Sequence, residues 1–424
     1  MKHNDHKGHK DNSNRRCNIV ILRVLRVLRV LLIGSTRTMP DCVRQVPISF
    51  ALQLAAALWL LLGVARADPP APPVDVTSKT WPLGRGNGLA EGVAKTMLPD
   101  KPEVVWKVTV EKGAFDATPV IADGVVYLGD MDGKVYAWRL ADGKELWTYK
   151  VESGFIASPA IRGNLLYIGD IDGKFYALDI KTGQPKWTFA ADAEIDNGAN
   201  FWRENVLFGS QDANLYCLNA ESGKPVWKYA IADQIRCMPT VVGDRSFVAG
   251  CDSTLHIIDL TQGKEAGAVP IESPTGVTPA VLGDNVYFGT EGGTFFAVNW
   301  KQAKVTWKAE DKGSPQPYRS SPAVQDTIVV VGSRSRRIEA FDPKTGNELW
   351  SFASKQRIDS SPVIIGNRAF VGAADGRLYG LNLKDGKQIW EYQATGGFTG
   401  SPAVADGKLV IATDRGVVYC FGSK

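Results

Sequence analysis

A short motif that recurs at nearly constant spacing constrains the fold of this chain more than any other feature. Seven copies end in proline, at Thr118-Pro119, Ser158-Pro159, Met238-Pro239, Thr278-Pro279, Ser321-Pro322, Ser361-Pro362 and Ser401-Pro402, and in one further unit Ala199 takes the proline position. Successive copies lie about 40 residues apart, which is the period typical of a four-stranded propeller blade. The sequence therefore predicts a ring of eight blades.

Each repeat unit has the pattern of a meander of short strands. In the first unit, apolar residues predict strands over 125–129, 134–140 and 145–150, and Asp-Gly pairs between them are typical of tight hairpin turns. The last unit ends at Lys424 without an outer strand, and a strand over 104–110 can complete it. Such pairing removes two open sheet edges. We therefore expect an all-β fold, an eight-bladed propeller of four-stranded antiparallel blades closed by this N-terminal strand.

Residues 1–67 differ in composition from the rest, with 11 of the 49 lysines and arginines but only 3 of the 45 acidic residues. An apolar run over 48–64 is short for a membrane span, and it ends in Ala65-Arg66-Ala67, a signal-peptidase pattern. We predict a leader over 1–67 with cleavage before Asp68, export to the periplasm or cell envelope, and no membrane span in the mature chain. Two alternatives are a true start at Met39, with 1–38 untranslated, and an uncleaved anchor.

The remaining chain is predicted to consist of a proline- and glycine-rich lead-in over 68–100 and the propeller over 101–424. It carries 38 basic against 42 acidic side chains, so nothing in its charge supports nucleic-acid binding. His256 is its one histidine and occupies a position where other units carry tyrosine or phenylalanine, so we expect a packing residue and no multi-histidine zinc site. A disulfide between Cys237 and Cys251 is left open, as is the state of Cys217 and Cys420.

Tryptophan marks the outer strand of most units, and one tryptophan precedes the first unit. The positions are Trp106, Trp147, Trp187, Trp227, Trp307, Trp350 and Trp390, while Gly267 stands where the blade 4 tryptophan would fall. We expect these rings to be structural, because a large ring can fill the wedge between neighbouring blades.

The segments 177–187 (ALDIKTGQPKW), 341–350 (FDPKTGNELW) and 381–390 (LNLKDGKQIW) resemble the tryptophan-docking repeat of quinoprotein-type propellers. The resemblance covers roughly residues 80–424, including the lead-in WPLGRGN at 81–87. This family includes pyrroloquinoline quinone (PQQ) dehydrogenases and the BamB subunit of the outer-membrane barrel assembly machinery. The resemblance implies the fold and leaves the function open.

For a dehydrogenase, the resemblance implies calcium ligands, an aromatic floor beneath the quinone, and a pair of adjacent cysteines. This chain has no adjacent cysteine pair. The longest repeat unit exceeds the 40-residue period by only three residues, around 314–318. We therefore expect no cofactor and no catalytic residue, with PQQ plus calcium as the alternative. A third alternative is a glycan or other small ligand on the aromatics that precede the mouth positions, Phe115, Phe155, Tyr318 and Phe398.

The positions three residues before each motif proline, or before Ala199 in blade 3, should gather at one mouth of the central channel. They are Asp116, Ile156, Asp196, Arg236, Gly276, Arg319, Asp359 and Thr399. The same face should carry Arg334, Arg336, Arg337 and Arg357 opposite aspartates such as Asp130 and Asp170. Trp202 in blade 3 is of a residue type that anchors interfaces, and the alternative is that it packs under a neighbouring loop.

Two interpretations of these charges stand side by side. Neighbours pair as salt bridges, Asp196 with Arg236 and Arg319 with Asp359, or the face docks a partner by charge complementarity. We expect an exported, monomeric and non-enzymatic scaffold, similar to BamB, that binds envelope or periplasmic proteins.

Overall fold

A computed structural model describes residues 74–310 and 315–424, so the predicted leader and its cleavage site lie outside the described residues. The described residues form eight blades of four antiparallel strands arranged as an eight-bladed β-propeller, and the predicted fold class is confirmed; the seventh blade gains a two-residue parallel strand, Val93–Ala94, from the lead-in. No helix within these two ranges is long and apolar enough to cross a membrane.

The strands of each blade are counted outward from the channel, and blades are numbered along the chain. First strands are Val120–Ala122, Ala160–Arg162, Asn200–Trp202, Thr240–Val242, Ala280–Leu282, Ala323–Gln325, Val363–Ile365 and Ala403–Ala405. Second strands are Val125–Gly129, Leu165–Gly169, Asn205–Gly209, Arg245–Ala249, Asn285–Gly289, Ile328–Ser333, Arg368–Gly372 and Lys408–Ala412.

The outer half of each blade follows the same order. Third strands are Lys134–Arg139, Lys174–Asp179, Asn214–Asn219, Thr254–Asp259, Thr294–Asn299, Arg337–Phe341, Arg377–Asn382 and Val417–Gly422. Fourth strands are Glu145–Lys150, Pro185–Ala190, Pro225–Ala230, Lys264–Pro270, Lys304–Glu310, Glu348–Ala353 and Gln388–Gln393, and in blade 8 the fourth strand is Glu103–Thr109.

Burial follows from the position of each strand between two neighbouring blades. The third strand of blade 2, Lys174–Asp179, has four consecutive buried residues because both of its faces pack against other blades. The fourth strand, Pro185–Ala190, alternates between exposed and half-buried residues because it lies at the rim. Burial of apolar area between blades, at about 25 cal/mol per Å², is therefore the main force that holds the ring together.

Blade 8 is assembled from both ends of the described chain. Glu103–Thr109 pairs antiparallel with Val417–Gly422, with Trp106 opposite Cys420. The indole nitrogen of Trp106 donates a 2.9 Å hydrogen bond to the carbonyl oxygen of Leu140 in blade 1. This strand therefore completes blade 8 beside the C-terminal strand and also joins that blade to blade 1.

Five of the other predicted docking tryptophans contact the following blade in the same way, while Trp390 packs its ring against Phe421 of blade 8. The Trp147 indole nitrogen donates to the Ile180 carbonyl at 3.0 Å, and equivalent bonds start from Trp187, Trp227, Trp307 and Trp350. Gly183, in the turn beneath the Trp147 ring, has a φ of 71°, and a Cβ there would lie 2.5 Å from the ring. The Thr-Gly turn thus requires glycine both for its backbone conformation and for the close approach of the ring.

The lead-in forms a band across one end of the channel. The first strands of six blades each donate a backbone N–H to a lead-in carbonyl, through Ile121, Ile161, Val241, Val281, Val324 and Ile364. Blade 3 uses the Asn200 side chain, which donates to the Gly88 carbonyl, and blade 8 uses the Asp406 amide, which donates to the Ser78 carbonyl. Because first strands are sheet edges, the lead-in satisfies groups that would otherwise lack partners.

Candidate functional site

The end of the channel opposite the lead-in is the charged mouth that the repeat positions predict. Seven of the eight predicted positions, all except Gly276, line one cavity of about 280 Å³. Gly276 lies in the neighbouring depression, beside Cys251 and Glu291. The cavity reaches inward to Gly84 and Arg85 of the lead-in, so the lead-in forms its closed end.

One of the two predicted salt bridges at the mouth is present. Arg236 Nε lies 3.2 Å from Asp196 Oδ2, and it joins blades 3 and 4. Burial raises the pKa of Asp196 above its usual value, although the hydrogen bond from Arg236 opposes this effect. Burial raises the pKa of Asp116 as well, and no cation of the described residues pairs with that carboxylate.

The second predicted pair, Arg319 with Asp359, is not formed. Arg319 instead lies 3.0 Å from Glu291, at the tip of the turn that follows the second strand of blade 5. Asp359 accepts from Arg334 at 2.7 Å and from Arg357 at 3.0 Å. The sequence predicted a pair between neighbouring mouth positions. In the structure, Arg334 on the adjacent turn tip binds the Asp359 carboxylate in place of Arg319.

Two arginines therefore converge on one carboxylate. Burial alone would raise the pKa of Asp359, but the hydrogen bonds from Arg334 and Arg357 leave it below its usual value. Arg357 stays exposed despite this bond, with about half of its side chain accessible, and Arg336, at the turn tip that carries Arg334, is also exposed. Positive charge on blades 6 and 7 is thus not fully compensated.

Two residues of the predicted interaction face lie elsewhere. Arg337 belongs to the third strand of blade 6 and lies near Glu348 and Ser351 of the fourth strand, away from the mouth. Trp202 is buried on the lead-in side of blade 3, where its indole nitrogen donates to Asp244 at 2.9 Å. Trp202 is therefore a contact between blades 3 and 4.

Asp130 and Asp170, two aspartates of the predicted mouth face, are buried inside their own turns. Asp130 accepts from its turn amides and from the Tyr136 hydroxyl at 2.8 Å, and Asp170 bonds the Tyr176 hydroxyl at 2.7 Å. In blade 4, His256 replaces the tyrosine, and its Nε2 lies 2.9 Å from Asp252. The histidine is buried as predicted, but it acts as a polar partner as well as a packing residue.

Sequence reasoning missed a ring of hydroxyls just inside the mouth. The side chains that precede the motif prolines accept hydrogen bonds from the backbone N–H of the preceding blade, at Thr118, Ser158, Thr278, Ser321, Ser361 and Ser401. Blade 3 has Gly198 and blade 4 has Met238 at this position, so the ring is interrupted there. The Ser/Thr-Pro pairs in the sequence were the available signal.

Arg85 is a further site residue that the sequence did not indicate. Its side chain is buried at the closed end of the cavity, with 5% of the residue exposed. Its Nη2 donates to the carbonyls of Pro322 and Pro362 at 3.0 and 2.8 Å. Only the tertiary fold brings this lead-in arginine between blades 6 and 7, so no local pattern could have indicated it.

The cavity does not fit a quinone with calcium. Within residues 74–310 and 315–424, no group of three His, Cys, Asp or Glu side chains could hold a metal ion, and no aromatic side chain lines the cavity. The aromatics proposed for a glycan, Phe115, Phe155, Tyr318 and Phe398, are buried in the core between blades. The four cysteines of the described chain are all free, so the Cys237–Cys251 bridge is not formed.

Comparison with solved structures agrees with the fold. BamB from Moraxella catarrhalis matches with a TM-score of 0.66 and 21% identity, over 76% of this chain and 98% of that chain. A europium-containing methanol dehydrogenase matches with a TM-score of 0.71 and 12% identity, over 82% of this chain and 99% of that chain. At these identities the likeness shows the fold alone.

Sequence comparison gives a curated relative and a family. A stretch of 84 residues is 38% identical to lupanine 17-hydroxylase (cytochrome c) of a Pseudomonas species, and it covers 18% of this chain and 12% of that protein. A family model described as outer membrane protein assembly factor BamB matches residues 91–236, 189–314 and 312–422. Because these matches span nearly all of the propeller, the chain belongs to the BamB family of PQQ-like repeat propellers.

Proposed function

We propose that the protein is an exported scaffold of the cell envelope that docks an acidic segment of a partner protein on the arginine side of its mouth. The observation that carries this proposal is the excess of cations on blades 6 and 7. The cations are Arg319, Arg334, Arg336 and Arg357, and among the described residues their carboxylate partners are Glu291 and Asp359. Membership in the BamB family and the composition of residues 1–67 support the location.

The energetics favour a partner carboxylate over the solvent at this surface. Exposed ion pairs in water contribute about 0–1 kcal/mol, so the bond of Arg319 to Glu291 is easily exchanged. Asp359 keeps its bond to Arg334 when Arg357 turns to a partner. Arg336 is exposed and forms no ion pair within the described residues, so it can bind a partner without first losing one. Desolvation by a partner strengthens such pairs, and charge complementarity speeds association.

The rest of the mouth offers contacts of a different kind. Met131 and Ile171, at the corresponding turn tips of blades 1 and 2, are 47% and 41% exposed. Methionine and arginine are enriched at protein interfaces relative to the remaining surface. A partner segment with acidic residues at one end and apolar residues at the other fits this arrangement.

The experiment compares the two faces of the full-length protein in its native cells. A photo-crosslinking amino acid replaces Arg336 at the mouth or Lys384, an exposed residue in a turn on the lead-in side. We expect a discrete adduct from position 336, lost in the double variant Arg319→Glu/Arg357→Glu. The matched control is Lys181→Glu/Lys384→Glu, which reverses two charges on the other face and should leave the adduct unchanged.

Salt dependence supplies the decisive readout once the adduct partner is purified. Affinity should fall as ionic strength rises, because the contacts are between exposed charges. An adduct that forms equally from position 384, or an affinity that is unchanged by both the arginine reversal and added salt, would contradict docking at the arginine side.

A further inference from the structure

Arg85 is a buried cation that no carboxylate of the described residues pairs with. The two hydrogens of its Nη2 reach the Pro322 and Pro362 carbonyls, while Nε and Nη1 have no hydrogen-bond partner in this part of the chain. Gly92, with a φ of 65°, makes room for the side chain, because a Cβ there would lie 2.2 Å from Nη2. Burial lowers the pKa of Arg85 to about 9, so the guanidinium remains charged at neutral pH.

Leaving such a group unsatisfied is costly. Removing an ion from water without an ionic partner is strongly unfavourable, and each unpaired buried donor adds to that cost. An apolar side chain at this position would avoid the cost. The arrangement therefore leaves an uncompensated positive charge at the closed end of the cavity.

The six hydroxyls of the ring line the same cavity as Arg85. Each hydroxyl oxygen accepts a backbone N–H from the preceding blade, as Ser361 does from Ser321 at 2.9 Å. Within the described chain, none of the six donates its own hydrogen to a protein acceptor at hydrogen-bond distance. Since a hydroxyl that already accepts can still donate, the ring offers O–H donors to a ligand.

The remaining wall sets the charge and size of that ligand. Four arginines and three aspartates line the cavity, and two of the aspartates, Asp196 and Asp359, are already bonded to arginines at the mouth. The volume of about 280 Å³ lies at the lower end of small-molecule sites. Met238 and Gly198 interrupt the hydroxyl ring on one side, which leaves that side without a hydroxyl donor from the ring.

We infer that the closed end of the channel binds a compact oxyanion, which the buried positive charge of Arg85 attracts and which accepts hydrogen bonds from the hydroxyl ring. An inorganic oxyanion and a short organic carboxylate share this chemistry, because both present several acceptor oxygens and a negative charge. The site lies at the inner end of the cavity whose outer end carries Arg319 and Arg334 of the proposed docking face, and it is formed by Arg85 of the lead-in and by the hydroxyl residues that precede the first strands.

The test is isothermal titration calorimetry of the full chain with inorganic phosphate, sulfate and succinate at constant ionic strength. We expect saturable one-to-one binding of at least one probe, weakened about 10- to 100-fold in Arg85→Met, as expected for the loss of a nearby buried positive charge. Tighter binding of succinate would assign an organic carboxylate, and tighter binding of phosphate or sulfate an inorganic ion.

The matched control is Arg368→Met. Arg368 is also 5% exposed and also donates to backbone carbonyls, those of Leu98, Pro99 and Asp100, but it lies outside the cavity. This variant should bind the probe as the unmodified chain does. If Arg85→Met does not fold, Arg85→Lys and Ser361→Ala provide the same comparison. Absence of saturable binding for all three probes, or equal affinity in the Arg85 and Arg368 variants, would overturn the inference.

Discussion

The pairing of tryptophan with glycine is the residue-scale rule that makes one blade fit the next. In blades 2 and 3, the ring of one blade lies against the turn glycine of the next, with Trp187 over Gly223 and Trp227 over Gly263. Blade 4 carries Gly267 in place of tryptophan, and the facing turn of blade 5 carries Ala303 in place of glycine. The Cβ of Ala303 lies 3.3 Å from the position of a Cβ on Gly267. Both members of the pair differ together, as a direct contact requires.

A double-mutant cycle on this pair tests the rule. Gly267→Trp alone should destabilise the protein, because the ring meets the Ala303 side chain. Adding Ala303→Gly should restore the fit, with a coupling of about 1–3 kcal/mol in the free energy of unfolding measured by urea denaturation. The same cycle with Val226→Trp, an exposed outer-strand position, is the control and should be additive. Additive effects in the Gly267 cycle would show that the contact does not select these residues.

Some residue roles could be predicted from the sequence, and others could not. The mouth positions follow from the repeat, because equivalent positions of a propeller lie at one end of the channel. The partner of Asp359 could not be predicted, since the choice between Arg319 and Arg334 depends on side-chain reach between a loop and a turn tip. Arg85 could not be predicted either, because its hydrogen-bond acceptors belong to blades 6 and 7, far from the lead-in along the chain.

Among the elements of the fold, the lead-in makes more contacts with the blades than its lack of regular strands suggests. Apart from the two-residue strand Val93–Ala94, which pairs parallel with Val363–Ile365, it contacts the blades through isolated hydrogen bonds. Its aromatic residue Trp81 is completely buried and exchanges two 2.8 Å backbone hydrogen bonds with Ile121. The sequence indicated a proline- and glycine-rich segment but not its path, because no periodic pattern encodes isolated bonds to successive blades.

Removal of the Trp81 ring should therefore weaken the inner edge of the whole propeller. Trp81→Ala is expected to cost about 3–5 kcal/mol in the free energy of unfolding. Hydrogen exchange should accelerate at the first-strand amides that donate to the lead-in, such as Ile121 and Val281, more than at third-strand amides. Leu146→Ala, at a position 45% exposed, serves as the control. Protection that is unchanged at the first strands would show that the lead-in is dispensable for the ring.

At the scale of the whole molecule, the repeat was sufficient to predict the architecture. A period of about 40 residues with turn signals predicts four short strands per unit, and eight such units close the ring. The N-terminal strand was also placed in the correct blade, although it covers Glu103–Thr109 and not 104–110. Function was less accessible, because BamB and a methanol dehydrogenase share this fold, so the repeat by itself does not identify a function.

A mouth that docks a protein and does not hold a quinone should not bind PQQ with calcium. The decisive experiment is titration of the purified protein with PQQ, with and without calcium, followed by absorbance and calorimetry. We expect no calcium-dependent, saturable binding, because the described cavity has neither an aromatic wall nor a cluster of metal ligands. Weak binding that is independent of calcium and lost in Arg85→Met would belong to the oxyanion site. One-to-one binding of PQQ that requires calcium would contradict the account.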